Sequence, residues 1–294
     1  DFSRELPGKA EEIKKRMEAL SPDIVIGMKY LYSNMPYSDV GNYTFDTYLD
    51  YVQQGIYLWE NSPYVKNYPE LYFLNYVLFH RTNDEEIKPC RTYFWKKIKD
   101  KVQGKAMVEA ALEINHWCAG EVMYQGTDMR TGSALEIYRS GVGRCGEEAV
   151  FVVNVMRSAG IPARPVYVPR WSHCDDNHAW VEVWCDGDWH YLGACEPEAV
   201  LDKGWFTNAA SRAMMIGSRW YDRAMPDEKV IGKDGMNRII NLLGKYAKTR
   251  WITITVEDLD GTPAAGAKVR AEVMNYGEFS PIAIMEADKN GCIS

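Results

Sequence analysis

The chain has 294 residues, 46% of them hydrophobic and 26% charged, with a formal net charge of -7 at pH 7. That apolar fraction supports a packed core and excludes a disordered chain. The acidic balance, with no long basic run, excludes nucleic acid as the main partner, and no apolar run reaches the length of a membrane span.

Residues 1–104 read as mostly helical. The segment 11–20 is an amphipathic helix stopped by Ser21-Pro22. In 44–52, Phe45, Tyr48, Leu49 and Val52 fall on one helical face. Segments 71–78 and 90–95 are further apolar stretches. These helices are too apolar to stand alone, so they are expected to pack on the next region through Tyr48, Leu49, Phe73, Leu74 and Trp95.

Residues 105–231 form the second region, with helices expected over 106–116 and near 133–138. Gly143-Arg144-Cys145-Gly146 then opens an apolar run of helical length that stops at Gly160-Ile161-Pro162. The two glycines leave the backbone free to turn sharply into that helix. Cys145 falls at its N-terminus, where the dipole and free N–H groups favour a thiolate. Short strands follow at 163–168, 178–184 and 188–192, with Cys185-Asp186-Gly187-Asp188 as a hairpin turn. His178 opens the middle strand. A cysteine at a helix start followed by a histidine on a strand is the pattern of a nucleophile and its base.

After residue 231, Gly232-Lys233-Asp234-Gly235 and the polar residues up to Lys248 read as a linker, the first place for a protease to cut. Residues 250–294 read as a partial β-module, with strands at 251–256 and 267–273 and turns at Asp260-Gly261 and Asn290-Gly291.

Seven cysteines stand at positions 90, 118, 145, 174, 185, 195 and 292. The odd number leaves at least one thiol free within a single chain. No CxxC spacing occurs, so no metal site is expected.

With these motifs in place, residues from about 106 to 198 resemble the transglutaminase-like cysteine enzyme superfamily. The resemblance rests on Ser133-Ala134 ahead of Gly141-Val142-Gly143-Arg144-Cys145, then Met156-Arg157-Ser158-Ala159-Gly160-Ile161-Pro162-Ala163-Arg164, then His178-Ala179-Trp180-Val181-Glu182-Val183. The segment Trp189-His190-Tyr191-Leu192-Gly193-Ala194-Cys195-Glu196 is similar to the matching part of peptide N-glycanases. The C-terminal part is similar to immunoglobulin-like or carboxypeptidase-regulatory-like modules of surface proteins. The resemblance implies an α+β fold: a helical N-terminal layer on a papain-like α+β core, followed by a partial β-sandwich module. It also implies a Cys–His–Asp site, no cofactor, and an extracytoplasmic place, secreted or at the cell surface. The start of the chain, Asp1-Phe2-Ser3-Arg4-Glu5, has no signal-peptide pattern.

The sequence departs from that family at one point. The position that normally supplies the orienting aspartate is Gly193, which has no side chain. Glu196 is the candidate replacement, reaching back if the chain bulges, because such a triad is defined by geometry rather than sequence position. Asp176 and Asn177 adjoin His178 and are poorer choices. Of the two carboxylates after Cys145, Glu147 and Glu148, one is expected to compensate the helix start or pair with an arginine; neither is assigned a catalytic role, since a nearby anion raises a thiol pKa. Trp117 and Gln125 are candidate donors to an oxyanion, although the Cys145 N–H is the better one. Trp180 is either a core residue or a wall of the substrate cleft.

Two functions follow. The first is a cysteine hydrolase or acyltransferase acting on an amide of a peptide, protein or glycopeptide, with Cys145, His178 and Glu196 catalytic and Trp117, Gln125 and Trp180 near the substrate. The second, favoured by Gly193, is a weak or inactive member that binds peptide or glycan in the retained cleft. The sequence leaves the oligomeric state open.

Overall fold

The computed structural model describes residues 2–234 and 237–293. The chain forms two compact units, one of Asp1–Pro165, Ala179–Gly204 and Tyr221–Arg223, the other of Val166–His178, Trp205–Trp220 and Ala224–Ser294.

The first unit carries the longer helices: α1 (Pro7–Met17), α2 (Pro22–Asn34), α3 (Phe45–Asn61), α4 (Arg91–Val102), α5 (Met107–Glu121), α6 (Ala134–Ser140) and α7 (Cys145–Ser158). Pro7 and Pro22 sit in the first turns of α1 and α2, where a missing N–H removes no intrahelical bond. Thr44 caps α3 by accepting the Thr47 N–H at 3.4 Å. Helices α2 and α3 approach closely at Gly27, where an added Cβ would lie 2.6 Å from Val52 Cγ1. The apolar stretch expected near 71–78 is a short helix, Glu70–Phe73, that continues as a π turn, Leu74–Leu78.

One apolar cluster joins these helices to the rest of the unit. Tyr48 and Phe73 are buried in it, and Leu49, Leu74 and Trp95 pack against it, as the sequence implied. Helix α7 lies at its centre. Ala149 to Val153, Val155 and Met156 are all fully buried, which is why this helix is apolar on every side.

Two short parallel strands, β1 (Met123–Tyr124) and β2 (Val142–Gly143), lead into α7. After α7 come β3 (Ala163–Val168), β4 (His178–Cys185) and β5 (Asp188–Leu192). Strands β4 and β5 pair antiparallel, with Val181 opposite Leu192 and Trp184 opposite Trp189. Their turn has Asp186 and Gly187 at φ of 52° and 94°, the left-handed pair that two-residue hairpins need.

The second unit holds β6 (Gly217–Trp220), β7 (Val230–Asp234) and β8 (Asn237–Asn241), with β8 antiparallel to both of the others. The expected linker over 232–248 is therefore corrected. Most of its first half is paired strand, because Ile231 and Ile240 are buried. Gly235 lies outside the described residues. Further on are β9 (Ile254–Thr255), β10 (Lys268–Asn275), β11 (Glu278–Glu286) and β12 (Cys292–Ile293). They form two antiparallel ladders, β10 with β11 and β9 with β12. The strand expected at 251–256 is shorter than the alternation suggested, since Trp251 and Ile252 are exposed rather than packed. A groove of about 980 Å³ in this unit is lined by Ile231, Ile239, Ile284 and Met285, among others. Among the described residues, no helix is long and apolar enough to cross a membrane.

Candidate active site

Cys145 is the first residue of α7. The lead-in is fixed from both sides. The Gln125 N–H donates to the Gly143 carbonyl at 2.9 Å, and the Glu147 and Glu148 N–H groups donate to the Arg144 carbonyl at 2.8 and 2.9 Å. Neither Gly143 nor Gly146 takes a left-handed conformation, so freedom to turn is not their purpose. Gly143 sits in close approach, since a Cβ there would stand 3.1 Å from the Glu147 Cβ. Glu147 is buried and braces the entrance: it accepts from the Gly132 N–H at 3.1 Å, the Arg144 N–H at 3.2 Å and the Thr127 hydroxyl. Its place at the helix start matches the compensating role expected of one of the two glutamates. Arg144 extends the brace by donating from Nη2 to Thr131 Oγ1 at 2.8 Å.

The thiol does not have the lowered pKa that a helix N-terminus suggests. The backbone N–H groups of Ala179 and Gly146 point at the Cys145 sulfur and Arg144 is close, and all three favour the thiolate. Burial outweighs them and pushes the thiol above its ordinary value. Ala179 follows His178 at the start of β4, so the start of that strand faces the sulfur.

His178 belongs to the second unit, with its ring packed against two aromatics that also touch each other. Trp205 lies 4.6 Å from it, centroid to centroid, and Phe206 lies 5.1 Å away. Phe206 is fully buried, whereas Trp205 is 65% exposed. Burial pushes the His178 pKa down to about 4, against a smaller upward pull from Asp176. At neutral pH the imidazole is uncharged and able to accept a proton.

At Gly193, Ala194 and Cys195 make a tight turn: the Glu196 N–H donates to the Gly193 carbonyl at 3.1 Å, and Cys195 has φ 56°. A left-handed residue in third place is what a type II turn demands. The turn folds Glu196 back on Gly193, and a Cβ built on Gly193 would run into the Glu196 carboxylate. The acid thus fills the volume that a side chain at 193 would occupy. Asn115, buried on α5, braces the turn. Its Nδ2 donates to the Gly193 carbonyl at 2.9 Å and its Oδ1 accepts the Cys195 N–H at 3.0 Å. Glu148, one turn along α7 from Cys145, is pushed up to about 8 by burial and then by Glu196.

Gln125 is exposed beside Gly143, where its side chain faces solvent next to the lead-in to Cys145. Trp117 is half-buried and stacks on Tyr138 at 5.9 Å, with Phe151 at 6.0 Å. Trp180 is fully buried. Trp117 packs against the apolar cluster of the first unit. Asn115, Trp205 and Phe206 were not singled out from sequence. The one signal for Asn115 is a carboxamide on a helix face otherwise made of Ala110, Ala111, Ile114 and Cys118. Among the described residues, no group of three or more His, Cys, Asp or Glu side chains is arranged to hold a metal ion.

Residues 96–194 match the family model of the transglutaminase-like superfamily. No curated protein matches the sequence. Three solved structures are similar at low identity. A candidate cysteine protease from Cytophaga hutchinsonii is 18% identical over 51% of this chain and 57% of its own, with a TM-score of 0.30. A candidate protease from Parabacteroides distasonis is 13% identical over 67% of this chain and 30% of its own, with a TM-score of 0.31. Red sea bream transglutaminase is 15% identical over 50% of this chain and 27% of its own, with a TM-score of 0.28. The chain thus spans little more than half of the first structure and under a third of the other two. The fold, mixed helix and sheet around a transglutaminase-like core, rests on the family match.

Proposed function

We propose that this chain, whose residues 96–194 carry a transglutaminase-like superfamily domain, is a cysteine-dependent amide hydrolase acting on a peptide or glycopeptide. In this reading Cys145 is the nucleophile, His178 the base and Glu196 the carboxylate that orients the histidine. The observation that carries it is Cys145 at the first residue of α7, with its sulfur facing the N–H of Ala179, the residue after His178.

The charge states suit general-base chemistry. A protonated thiol and a neutral imidazole at pH 7 mean that His178 takes the Cys145 proton as the sulfur attacks the amide carbonyl. The carbonyl oxygen gathers negative charge, and the Cys145 N–H at the helix start is the donor assigned to stabilise it. The C–N bond then breaks, His178 returns the proton to the leaving amine, and an acyl thioester on Cys145 remains. Water attacks the thioester, His178 accepts its proton, and the acid leaves as the thiol re-forms. Hydrolysis is preferred to transfer, since no residue marks a site for an amine acceptor. Gly193 favours a binding-only member of the family. The Glu196 carboxylate in the volume above Gly193 supports the active form instead.

The test is a search for new N-termini and for deamidated glutamine and asparagine in a peptide and glycopeptide mixture, read by mass spectrometry, with Cys145→Ser alongside. Products made by the parent and absent with Cys145→Ser are the expected result. A parent indistinguishable from Cys145→Ser would sink the enzyme reading and leave the binding one.

A further inference from the structure

We propose that Asn115 is a positioning residue of this site, holding the turn from Gly193 to Glu196 so that the Glu196 carboxylate stays in the volume a side chain at 193 would fill. The inference rests on the reading of Glu196 as the orienting carboxylate.

Three observations carry it. Asn115 is 1% exposed, and its carboxamide uses both ends on one turn, donating to the Gly193 carbonyl at 2.9 Å and accepting the Cys195 N–H at 3.0 Å. A side-chain amide is the group that offers a donor and an acceptor in this fixed fork. The turn is also one that its sequence resists. Cys195 sits at φ 56°, where a residue with a Cβ is disfavoured and persists only when its surroundings hold it. Finally, the neighbour on α7 works against Glu196. The Glu148 carboxyl is pushed up by burial and by Glu196, so the two acids repel when both are charged. An anchor on the backbone of the turn resists that repulsion without occupying the carboxylate itself.

If the turn relaxed to an ordinary conformation at Cys195, the direction of the chain into Glu196 would change. The acid would then leave its place over Gly193. Asn115 acts at a distance from the reacting atoms, through the peptide groups on either side of Ala194.

The experiment compares Cys145 alkylation by iodoacetamide, read by mass spectrometry on the Cys145 peptide as a function of pH. The chains are the parent, Asn115→Ala, Glu196→Gln and the double variant, each checked for folding by near-ultraviolet circular dichroism. Asn115→Ala is expected to slow the reaction at pH 7 by about tenfold to a hundredfold, the scale of a misplacement of about 1 Å. It should move the pH profile in the same sense as Glu196→Gln, and the double variant should be no slower than the slower single one. Additive losses, or a slower reaction with an unmoved pH profile, would overturn the positioning role. An effect of Glu196→Gln with none from Asn115→Ala would overturn it too while leaving the functional reading intact. No effect of Glu196→Gln would remove the carboxylate from the functional reading, and this inference with it. If Asn115→Ala does not fold, Asn115→Asp takes its place, since it keeps the acceptor for Cys195 and loses the donor to Gly193. A measurement on the parent needs no variant: the Cys195 amide should exchange its hydrogen slowly, and fast exchange contradicts the proposed clamp.

Discussion

The charge state of two residues governs what this site can do. A cysteine at a helix start invites the reading of a ready thiolate, yet enclosure of the sulfur costs the anion more than two N–H groups and an arginine return. Alkylation of Cys145 should therefore keep accelerating above pH 9, with its midpoint above the ordinary thiol value of 9.0. A fast plateau between pH 6 and 8 would show an ion pair instead. The proposed hydrolysis, with His178 as its base, should persist well below neutrality and fail near pH 4, where His178 takes a proton. The same group makes the fold acid-sensitive. Its folded pKa lies below the unfolded 6.5, so the stability present above that pH is lost as pH falls toward 4. Glu148 runs the other way. Its folded pKa is raised to about 8 from 4.5, so its contribution is present below pH 4.5 and is lost as pH rises through 8. Glu148→Gln should match the parent near pH 4 and be more stable at pH 9 by on the order of 2 kcal/mol, read by urea denaturation. Equal stability at pH 9 would mean that the buried acid ionises freely. The places of Cys145 and His178 at element starts were legible in the sequence because each opens a regular element with its own pattern. Asn115 was not, since its partners lie 78 and 80 residues away and nothing local announces them.

At the scale of elements, periodicity identified most helices, and the α7 stop signal was read at its true place. Where the reading missed, two signals competed. The residues around Gly232 and Lys233 look like a linker, but the isoleucines on either side pair them into β7 and β8. In the same way the alternation after Arg250 overstated a strand that is regular only at Ile254–Thr255. Close contact between helices was also invisible, because a glycine inside a helical pattern reads as a weakness. At Gly27 it is what lets α2 meet α3. Gly27→Ala should destabilise the chain by about 1–3 kcal/mol through overpacking on Val52, despite alanine's better helix propensity. A gain in thermal stability would show that the helices can move apart without loss.

On the scale of the whole molecule, the N-terminal helices and the family-matched region share one apolar cluster, so the first unit should resist separation into fragments. Trypsin should instead cut first at Lys248 or Arg250, in an exposed stretch without regular structure between Tyr246 and Ile254. Mass spectrometry of the early fragments checks this. A first cut near Gly104, releasing a stably folded N-terminal piece, would contradict the shared core. The combination of helical layer and α+β core was legible because apolar helices without partners must pack on something. The division into two units was not, since His178 and Ala179 fall on opposite sides of it while remaining neighbours in one strand.

The carboxylate folded over Gly193 also constrains how this site can change its sequence. A chain that gained an aspartate at 193 would first have to crowd it against Glu196, and a chain that lost Glu196 first would have no acid in that volume. On the proposed reading of Glu196, an acid returns to 193 with least loss when Glu196 swings aside or both positions change together. Two lineages with the same chemistry can in this way be held apart by the order in which substitutions are allowed. On the proposed reading of Glu196, glycine at 193 does not by itself mean a lost site.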